Sequence, residues 1–324
     1  MFDLTAARAR LQAEIAALRF GEEPPELYEP IRYLMNVGGK RLRPLLTLLG
    51  YQLYAGDWPR ALRPAVAVEV FHNFTLMHDD IMDQAPLRRG LPTVHARWNP
   101  NVAILSGDVM LVKAYELMMD APDALLRPVL VGFNRCAADV CEGQQHDMNF
   151  ETRADVGEAA YLRMIKQKTA ALLGFALELG GTLAGADTDD RQRLYELGIQ
   201  TGLGFQLMDD LLDVYGDQRK FGKQVGGDII ANKKTLMLIR ALAQADADQR
   251  AVLNRWLRAA DFNPAAKVQA VRGVYDALDL RAQTQALADE HFGRGLAALD
   301  ALDAPNDRKQ VLRGLILQLT GREQ

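Results

Sequence analysis

Apolar residues recur at intervals of three and four along almost the whole chain. In the first segment this pattern joins Leu4, Ala7, Leu11, Ile15 and Leu18. It predicts an amphipathic helix because those positions share one helical face. Alternation of apolar and polar positions, which would indicate strands, is rare. The sequence therefore predicts an all-α protein.

Proline, glycine and asparagine mark the ends of the predicted helices, because they either fix or free the backbone. They predict about ten to twelve helices, with breaks at Pro24–Pro25, Gly38–Gly39, Gly56–Pro59, Gly90–Pro92, Asn99–Pro100, Pro122, Gly185–Asp187 and Asn263–Pro264. No linker of biased composition separates the segments. We therefore expect residues 1–324 to form a single-domain helical bundle.

Composition excludes several classes of protein. Of the 324 residues, 49% are hydrophobic and 25% are charged, which provides a large core and argues against disorder. The net charge of −4 gives no reason to expect a nucleic-acid partner. Cys136 and Cys141 are too few and wrongly spaced for a disulfide framework. Charged residues interrupt the first twenty positions, so we expect a cytoplasmic protein without integral membrane association.

Two acidic clusters share the spacing DDxxD, one at residues 79–83 and one at residues 209–213. On a helix the outer aspartates of each cluster lie one turn apart and repel each other. A single such cluster is most often a solvated acidic face. Both clusters, however, lie among apolar residues, where unpaired charge is costly. Since hard oxygen ligands suit Mg²⁺, we interpret both as magnesium-binding clusters.

Basic residues accompany both clusters, and together they indicate a polyphosphate substrate because Lys and Arg bind phosphate oxygens. His72, two turns before Asp80, is either a phosphate donor or a packed core residue. The segment 38–41 lacks the spacing of a P-loop, and no dinucleotide-binding pattern follows a strand. The five histidines show no zinc-ligand spacing.

Six segments taken together resemble the trans-type isoprenyl (polyprenyl) diphosphate synthases. They are GGKRLRP at 38–44, HDDIMD at 78–83, LRRG at 87–90, KTA at 168–170, FQLMDDLLD at 205–213 and FGKQVGGD at 221–228. The resemblance implies an isoprenoid synthase fold, with helices around a deep central cavity, and a homodimer. It also implies head-to-tail 1′-4 condensation of isopentenyl diphosphate with an allylic diphosphate, with Mg²⁺ as cofactor, about three ions per site.

The resemblance also implies roles for individual residues. The metal ligands would be Asp79, Asp83 and Asp209, supported by Asp80, Asp210 and Asp213. The isopentenyl diphosphate site would comprise Lys40, Arg43, His72 and Arg89, and the allylic diphosphate would contact Arg88, Lys168, Lys223 and Lys233. Thr169 and Gln206 are polar and uncharged, so their oxygen dipoles could face a carbocation.

Two phenylalanines precede the first acidic cluster on the same predicted helix. Phe74 and Phe71 lie five and eight residues before Asp79, which is roughly 7 to 12 Å along the helix axis. A growing isoprenoid tail would meet a ring there, and Thr75 is too small to stop it sooner. The alternative is that both rings are core residues. The resemblance also places a length-setting residue at this offset, so we expect a C15 to C20 product.

Two other functions share part of this pattern. A class I terpene cyclase also uses DDxxD and Mg²⁺, but its second metal motif usually mixes Asn, Ser or Thr and Glu. It also needs no second diphosphate site such as Lys40, Arg43 and Arg89. A non-catalytic synthase-like subunit would have decayed clusters, whereas both are intact here.

Overall fold

The computed structural model describes residues 2–216 and 226–320, which are built almost entirely of helices. The elements are α1 (Leu4–Ala16), α2 (Pro25–Asn36), α3 (Leu42–Tyr54), a 3₁₀ helix (Trp58–Ala61), α4 (Leu62–Met82), β1 (Leu87–Arg88), β2 (Leu91–Pro92), α5 (Val94–Arg97), α6 (Pro100–Met118), α7 (Asp123–Thr152), α8 (Glu158–Ile165), a π-helix (Lys166–Ala170), α9 (Ala171–Leu183), α10 (Thr188–Tyr215), α11 (Gly227–Ile230), α12 (Leu236–Gln244), α13 (Ala247–Arg258), α14 (Pro264–Ala277), α15 (Leu280–Asp300) and α16 (Asn306–Thr320). The all-α prediction is confirmed.

The predicted helix breaks coincide with helix termini. Asn99 caps α6 by accepting a hydrogen bond from Val102 N at 2.9 Å, and Asn263 caps α14 by accepting one from Ala266 N at 3.0 Å. A proline follows each cap at the first helical position, where its missing N–H has no cost. The short elements were not predicted, because α5, α11 and the two-residue strands are too short to show a period.

The chain forms two compact units. The first consists of Met1–Ala137, Leu172–Gly198 and Ala298–Gly314, and the second of Ala138–Ala171, Ile199–Ala297 and Leu315–Gln324. The chain passes between them several times, so neither unit is one continuous segment. The single domain over residues 1–324 stays a prediction.

In the first unit, α4 is the central helix and packs against α3 and α6. An aromatic cluster lies in the core of this unit. Phe71 on α4 packs edge-on against Phe133 at 5.1 Å between ring centroids, and Phe133 in turn contacts Tyr115 and Phe175 at 4.8 and 5.8 Å. Such aromatic pairs add to the stabilisation from apolar burial.

The second unit packs α12 against α8 and α14, while α11 and α13 also pack against α14. An ion pair fixes the start of α8, because Arg240 on α12 donates to both carboxylate oxygens of Glu158 at 2.7 and 3.0 Å. This two-point geometry orients α8, which carries a tyrosine of the candidate site. In the described part of the chain, no helix combines the length and the apolar character needed to cross a membrane.

Glycines allow α3 and α9 to approach each other closely in the first unit. A Cβ at Gly180 would lie 2.1 Å from Thr47 O and 2.6 Å from Tyr51 N, and one at Gly50 would lie 2.6 Å from Leu177 O. These neighbours are backbone atoms, which cannot rotate away. The crossing therefore requires glycine on both helices.

We expect Gly180→Ala to lower the free energy of unfolding by about 2–3 kcal/mol, because the added methyl group forces the two backbones apart. Gly314→Ala is the matched control, since nothing lies within 4 Å of its Cβ position. There alanine should be neutral or stabilise by up to about 1 kcal/mol through helix propensity. Urea unfolding of both variants measures the difference. Equal stabilities would contradict the close crossing.

Candidate active site

The first acidic cluster occupies the C-terminal end of α4. Asp79 and Asp80 lie in the last turn, and Asp83 is the C-cap, which donates its N–H to Asp79 O at 2.8 Å. Asp79 and Asp83 keep contact with solvent, whereas Asp80 is 2% exposed. Carboxylates at this end also face the negative pole of the helix dipole. The outer pair is therefore a favourable place for a cation.

The β1–β2 hairpin returns a basic side chain to the middle aspartate. Its turn consists of Arg89 and Gly90, with φ of 53° and 77°, which matches the type I′ turn of a twisted hairpin. Arg88 donates from Nε and Nη2 to both oxygens of Asp80 over 2.7 to 2.9 Å, and its Nη2 lies 3.6 Å from Asp79 Oδ2. Burial raises the pKa of Asp80, and the Arg88 guanidinium opposes that shift.

Four arginines act on His72 in the first unit. The Nη1 atom of Arg43 donates to His72 Nε2 at 3.1 Å, which requires a neutral ring with its proton on Nδ1, because arginine cannot accept. Burial, and then the charges of Arg43, Arg88, Arg89 and Arg41, lower the pKa of His72 well below its usual value. His72 thus orients Arg43 as a hydrogen-bond acceptor, and the concentrated positive charge suits a diphosphate.

One of these arginines holds the glycine turn in place. Arg41, with φ of 48°, is 6% exposed and forms an ion pair with Glu69 at 2.6 Å, while its Nη2 donates to Met35 O at 2.7 Å. Arg89 Nη1 donates to Gly38 O on the same turn. Removing one partner of such a buried pair typically costs about 3–5 kcal/mol. The turn that carries Lys40 and leads into Arg43 is therefore firmly anchored.

The predicted length-setting residues lie one and two turns before Asp79. Phe74 stacks edge-on against His78 at 4.8 Å and contacts Phe71 at 5.6 Å. Phe71 is 1% exposed and belongs to the aromatic core, whereas Phe74 is 9% exposed. Thr75 is partly exposed, and its hydroxyl donates to the carbonyl of the residue three positions earlier.

In the second unit a chain of hydrogen bonds ends on the middle aspartate of the second cluster. Thr169 Oγ1 donates to Gln206 Oε1 at 3.0 Å, and Gln206 Nε2 donates to Asp210 Oδ1 at 3.0 Å. Tyr161, buried on α8, donates to the other carboxylate oxygen of Asp210. Burial and the neighbouring charge of Asp228 raise the pKa of Asp210 to about 7. The carboxylate fixes the amide of Gln206, and that amide in turn fixes the Thr169 hydroxyl.

The π-helix carries the predicted residues Lys168 and Thr169. Lys168 Nζ donates to Asp147 Oδ2 on α7 at 2.6 Å. The two segments touch because α7 has Gly143 at this point, where a Cβ would lie 2.2 Å from Lys168 N. Single π-turns within helices are frequent at functional sites, because the extra residue shifts the side chains that follow it.

The last aspartate of the second cluster anchors α11. Asp213 Oδ2 accepts a hydrogen bond from Asp228 N at 3.0 Å in the first turn of that helix, and Asp213 O accepts one from Gly226 N at 2.6 Å. Lys233 follows the helix, and its charge lowers the pKa of Asp210. The second unit therefore places three aspartates and a lysine on and around the single-turn helix α11.

The donor atoms fit a hard divalent cation, because the outer residues of both clusters offer carboxylate oxygens. Within the described residues, no three His, Cys, Asp or Glu side chains converge closely enough to hold a metal ion. Mg²⁺ seldom needs such a cage, since one or two carboxylates together with substrate phosphates and water complete its octahedron. The residues present are therefore compatible with Mg²⁺ bound together with a diphosphate.

Comparisons with known proteins identify the family of the chain. The sequence pattern of the polyprenyl synthetase family matches residues 24–275. The chain belongs to the polyprenyl synthetase family. A geranylgeranyl pyrophosphate synthase from Geoglobus acetivorans is 42% identical over 240 residues, which are 73% of this chain and 75% of that protein.

Solved structures of this family share the fold. A geranylgeranyl pyrophosphate synthase matches with a TM-score of 0.95 and 41% identity, covering 100% of both chains. A decaprenyl diphosphate synthase from Rhodobacter capsulatus matches with a TM-score of 0.87 and 30% identity, covering 99% of this chain and 96% of the other. The polyprenyl synthetase fold is therefore shared by enzymes named for short and for long products.

The structure places most of the predicted site residues in two groups. In the first unit, Arg43 meets His72 and Arg88 meets Asp80, while in the second unit Thr169 meets Gln206. Lys40 lies exposed on the turn that Arg41 anchors. Lys223 lies outside the described residues. The metal-binding roles of Asp79, Asp80, Asp83, Asp209 and Asp213 stay predictions.

Sequence reasoning missed three members of the second group. Tyr161, Asp147 and Asp228 contact or electrostatically affect the predicted residues. Tyr161 carries no pattern of its own, because it reaches Asp210 only through the fold. Asp228 ends the FGKQVGGD segment, and its position after two glycines was the one available signal.

We expect the neutral His72 to make stability depend on pH. The unfolded chain protonates this ring near pH 6.5, whereas the folded protein, with its lowered pKa, does not. Stability is thus fully present above pH 6.5 and is lost as the pH falls. Relative to His72→Gln, which keeps an acceptor for Arg43, the wild type should lose up to about 1.4 kcal/mol per pH unit below 6.5. Urea unfolding at pH 7, 6 and 5 measures this, and parallel curves would contradict a neutral His72.

Proposed function

We propose that this protein condenses isopentenyl diphosphate with an allylic diphosphate, head to tail, to give a short-chain trans-prenyl diphosphate. One observation carries the proposal. The solvent-accessible carboxylates of Asp79 and Asp83, at the C-terminal end of α4, lie in the same unit as the arginines around His72. An enzyme that only ionises one diphosphate needs the carboxylates, whereas two diphosphate substrates also need a separate cationic site. Family membership and the names of the relatives support the same reaction.

Bound Mg²⁺ would neutralise the leaving diphosphate and so allow the allylic C–O bond to ionise. Arg88, Lys168 and Lys233 would donate to the oxygens of that diphosphate. The Thr169 hydroxyl donates its hydrogen bond to Gln206, so its oxygen lone pairs are available to face the carbocation. This electrostatic assistance needs no reorganisation during the reaction, because Asp210 already fixes the hydrogen-bond direction.

The other substrate would bind through Arg43 and Arg89, with Lys40 beside them. Neutral His72 orients Arg43 and donates no proton to the reaction. After the double bond of isopentenyl diphosphate attacks the cation, a proton must leave. We assign its removal to the released diphosphate, since the sequence motifs offer no evident side-chain base and the Nε2 atom of neutral His72 already accepts from Arg43.

Incorporation of labelled isopentenyl diphosphate tests this function. The purified protein, Mg²⁺ and dimethylallyl or farnesyl diphosphate should yield labelled prenyl diphosphates, and omission of the metal ion should abolish the product. Release of diphosphate with cyclic hydrocarbons and without incorporated label would identify a terpene cyclase instead. No reaction with either class of substrate would contradict the proposal.

We expect Asp79→Ala and Asp209→Ala each to lower kcat by about 10²-fold or more, because each removes a carboxylate that stabilises charge growing on the leaving group. The free energy of unfolding should change little, since Asp79 and Asp209 are both partly exposed. Asp289→Ala, at an exposed position of α15, is the control and should keep normal turnover. Near-normal kcat in either cluster variant would contradict the metal assignment.

The product is proposed to be geranylgeranyl diphosphate, C20, with farnesyl diphosphate, C15, as the shorter alternative. Phe74 supports this length because it lies on α4 about one turn before Asp79 and is 9% exposed. It also packs against Phe71, which belongs to the aromatic core. The fold itself does not determine length, since a decaprenyl synthase shares it. Side chains must therefore set the limit, and we assign that role to those along α4.

Phe74→Ala should shift the product distribution to chains longer than those of the wild type, because it removes the ring that a growing tail would meet. Such a truncation also costs about 3–5 kcal/mol of stability. Met77→Ala, at a 1% exposed position of the same helix, controls for that loss and should leave product length unchanged. Chromatography of the dephosphorylated products gives the answer. An unchanged product distribution in Phe74→Ala would show that Phe74 does not limit the chain length.

We propose that the protein is a homodimer that buries an apolar stripe on α6. Leu105, Val112 and Met119 recur every seven residues along and just after this helix, and they are 58%, 59% and 60% exposed. Residues at this interval share one face. Single exposed apolar residues are ordinary, but three large ones at a constant interval on one helix face indicate an interaction surface. A second copy suits it because the resemblance implies a homodimer.

Val112→Lys should shift the protein to a monomer in light scattering coupled to size-exclusion chromatography, because a charge would be buried at the centre of the stripe. Leu317→Lys is the control, since Leu317 is 49% exposed on α16, outside the stripe. It should leave the mass unchanged. A dimeric Val112→Lys variant, or a monomeric wild type, would contradict this interface.

A further inference from the structure

Lys267 is a buried lysine that neither the predicted site nor the proposed reaction uses. It lies on α14 in the second unit and is 1% exposed. Lysine is almost never buried so completely unless it is paired. Its Nζ donates to Ile230 O at 3.0 Å and to Asn232 Oδ1 at 2.6 Å, and it stands 4.3 Å from the centroid of the Phe262 ring. The ammonium group thus donates to two neutral oxygens and lies against an aromatic ring, rather than pairing with a carboxylate.

Its oxygen partners belong to the turn that ends α11. Asn232 has φ of 55°, its N–H donates to Ile229 O at 3.2 Å, and Lys233 N donates to Asp228 O at 2.9 Å. This pair of bonds around a left-handed residue is a Schellman motif, in which Asn232 occupies the left-handed position. Its two bonds do not involve the carbonyl of Ile230. Lys267 binds that carbonyl and, at the same time, the Asn232 side chain.

The other end of α11 is held by the second acidic cluster, through the hydrogen bond from Asp228 N to Asp213 Oδ2. A single helical turn has little stability of its own, because nucleation is unfavourable. The Asp213 bond and the Lys267 clamp therefore supply order that α11 lacks by itself. Lys233 is the residue that directly follows the clamped turn, and its charge acts on Asp210.

We propose that Lys267 is a positioning residue, whose buried ammonium group locks the turn at Asn232 and so directs Lys233 toward a diphosphate. The assignment rests on the proposed function for the identity of that diphosphate, which would be the allylic one. Lys267 does not contact the substrate. Its effect on binding passes through Lys233, so the two residues should be energetically coupled.

Lys267→Met tests the clamp, because methionine fills a similar volume without a donor. Lys309→Met is the matched control. Lys309 is also buried, at 6% exposure, and also donates to two carbonyl oxygens, Asp300 O and Leu302 O, but in the first unit. In hydrogen exchange by mass spectrometry, residues 226–235 should exchange at least tenfold faster in Lys267→Met and at the wild-type rate in Lys309→Met. Unchanged exchange in Lys267→Met would overturn the clamp, whatever the enzyme catalyses.

The coupling is measured by calorimetric binding of inorganic diphosphate with Mg²⁺. Lys267→Met and Lys233→Ala should each weaken binding by about fivefold or more. The double variant should be no more than twofold weaker than Lys233→Ala, because the clamp acts through that lysine. Independent effects, which multiply in the double variant, would overturn the proposal. So would equal weakening by Lys309→Met.

Steady-state kinetics separates this inference from the proposed function. Lys267→Met should raise KM for the allylic diphosphate about fivefold or more, while KM for isopentenyl diphosphate stays within twofold. Equal increases in both constants would indicate a general structural defect and overturn the positioning role. A wild type without prenyltransferase activity would overturn the proposed function alone, since exchange and diphosphate binding still test the clamp.

Lys267→Met could also fail to fold, and Asn232→Gly then tests the same contact. Glycine keeps the left-handed backbone at no steric cost but removes the Oδ1 acceptor, together with the Nδ2 donor to Leu257 O at 3.2 Å. It should accelerate exchange and weaken diphosphate binding in the same direction by a smaller factor. Wild-type behaviour of Asn232→Gly in both measurements would overturn the clamp.

Discussion

The burial of one carboxylate in each DDxxD cluster is the constraint on which the rest of the site depends. Asp80 and Asp210 are 2% and 5% exposed, whereas the outer aspartates of the first cluster remain accessible. Adjacent helical residues point about 100° apart, so the second aspartate of the pattern points to one side of the outer pair, and in both clusters that side faces the protein interior. A buried carboxylate has to be satisfied by donors. The motif thus combines accessible carboxylates with one buried carboxylate, the anchor, which is Asp80 in the first cluster and Asp210 in the second.

The two units satisfy that anchor differently. Arg88 compensates the charge of Asp80 with a two-point contact, whereas Asp210 receives neutral donors from Tyr161 and Gln206. Burial and the charge of Asp228 raise the pKa of Asp210 to about 7, and the hydrogen bonds from these neutral donors oppose that shift without cancelling it. The first anchor holds a cation in place. The second sets the direction of a hydrogen-bond chain that ends at Thr169.

The sequence predicted what is periodic, repeated or marked by proline, namely the helices, the breaks at Asn99–Pro100 and Asn263–Pro264, and both acidic clusters. It did not predict the partners of the anchors, because Tyr161 reaches Asp210 across 49 positions and no local pattern encodes such a contact. Nor could it predict the π-turn at Lys166–Ala170, which depends on tertiary packing against Gly143. Local propensity is a weak guide where packing decides the backbone.

The carboxylates lie on regular helices, whereas most of the cations lie on irregular segments. This difference explains why buried contacts hold the irregular segments in place. Both acidic clusters lie on or directly after long helices, whose internal hydrogen bonds keep the carboxylates one turn apart. Most of the cations stand on a hairpin, a π-turn, a left-handed glycine turn and the end of a one-turn helix, while Arg43 lies in the first turn of α3 directly after the glycine turn. Such segments have few hydrogen bonds of their own, so each is fixed by a buried contact, such as that of Arg41 with Glu69 or of Lys267 with Ile230. Rigid helices can hold metal ligands at a fixed spacing, while clamped irregular segments can point cations where no helix face would place them.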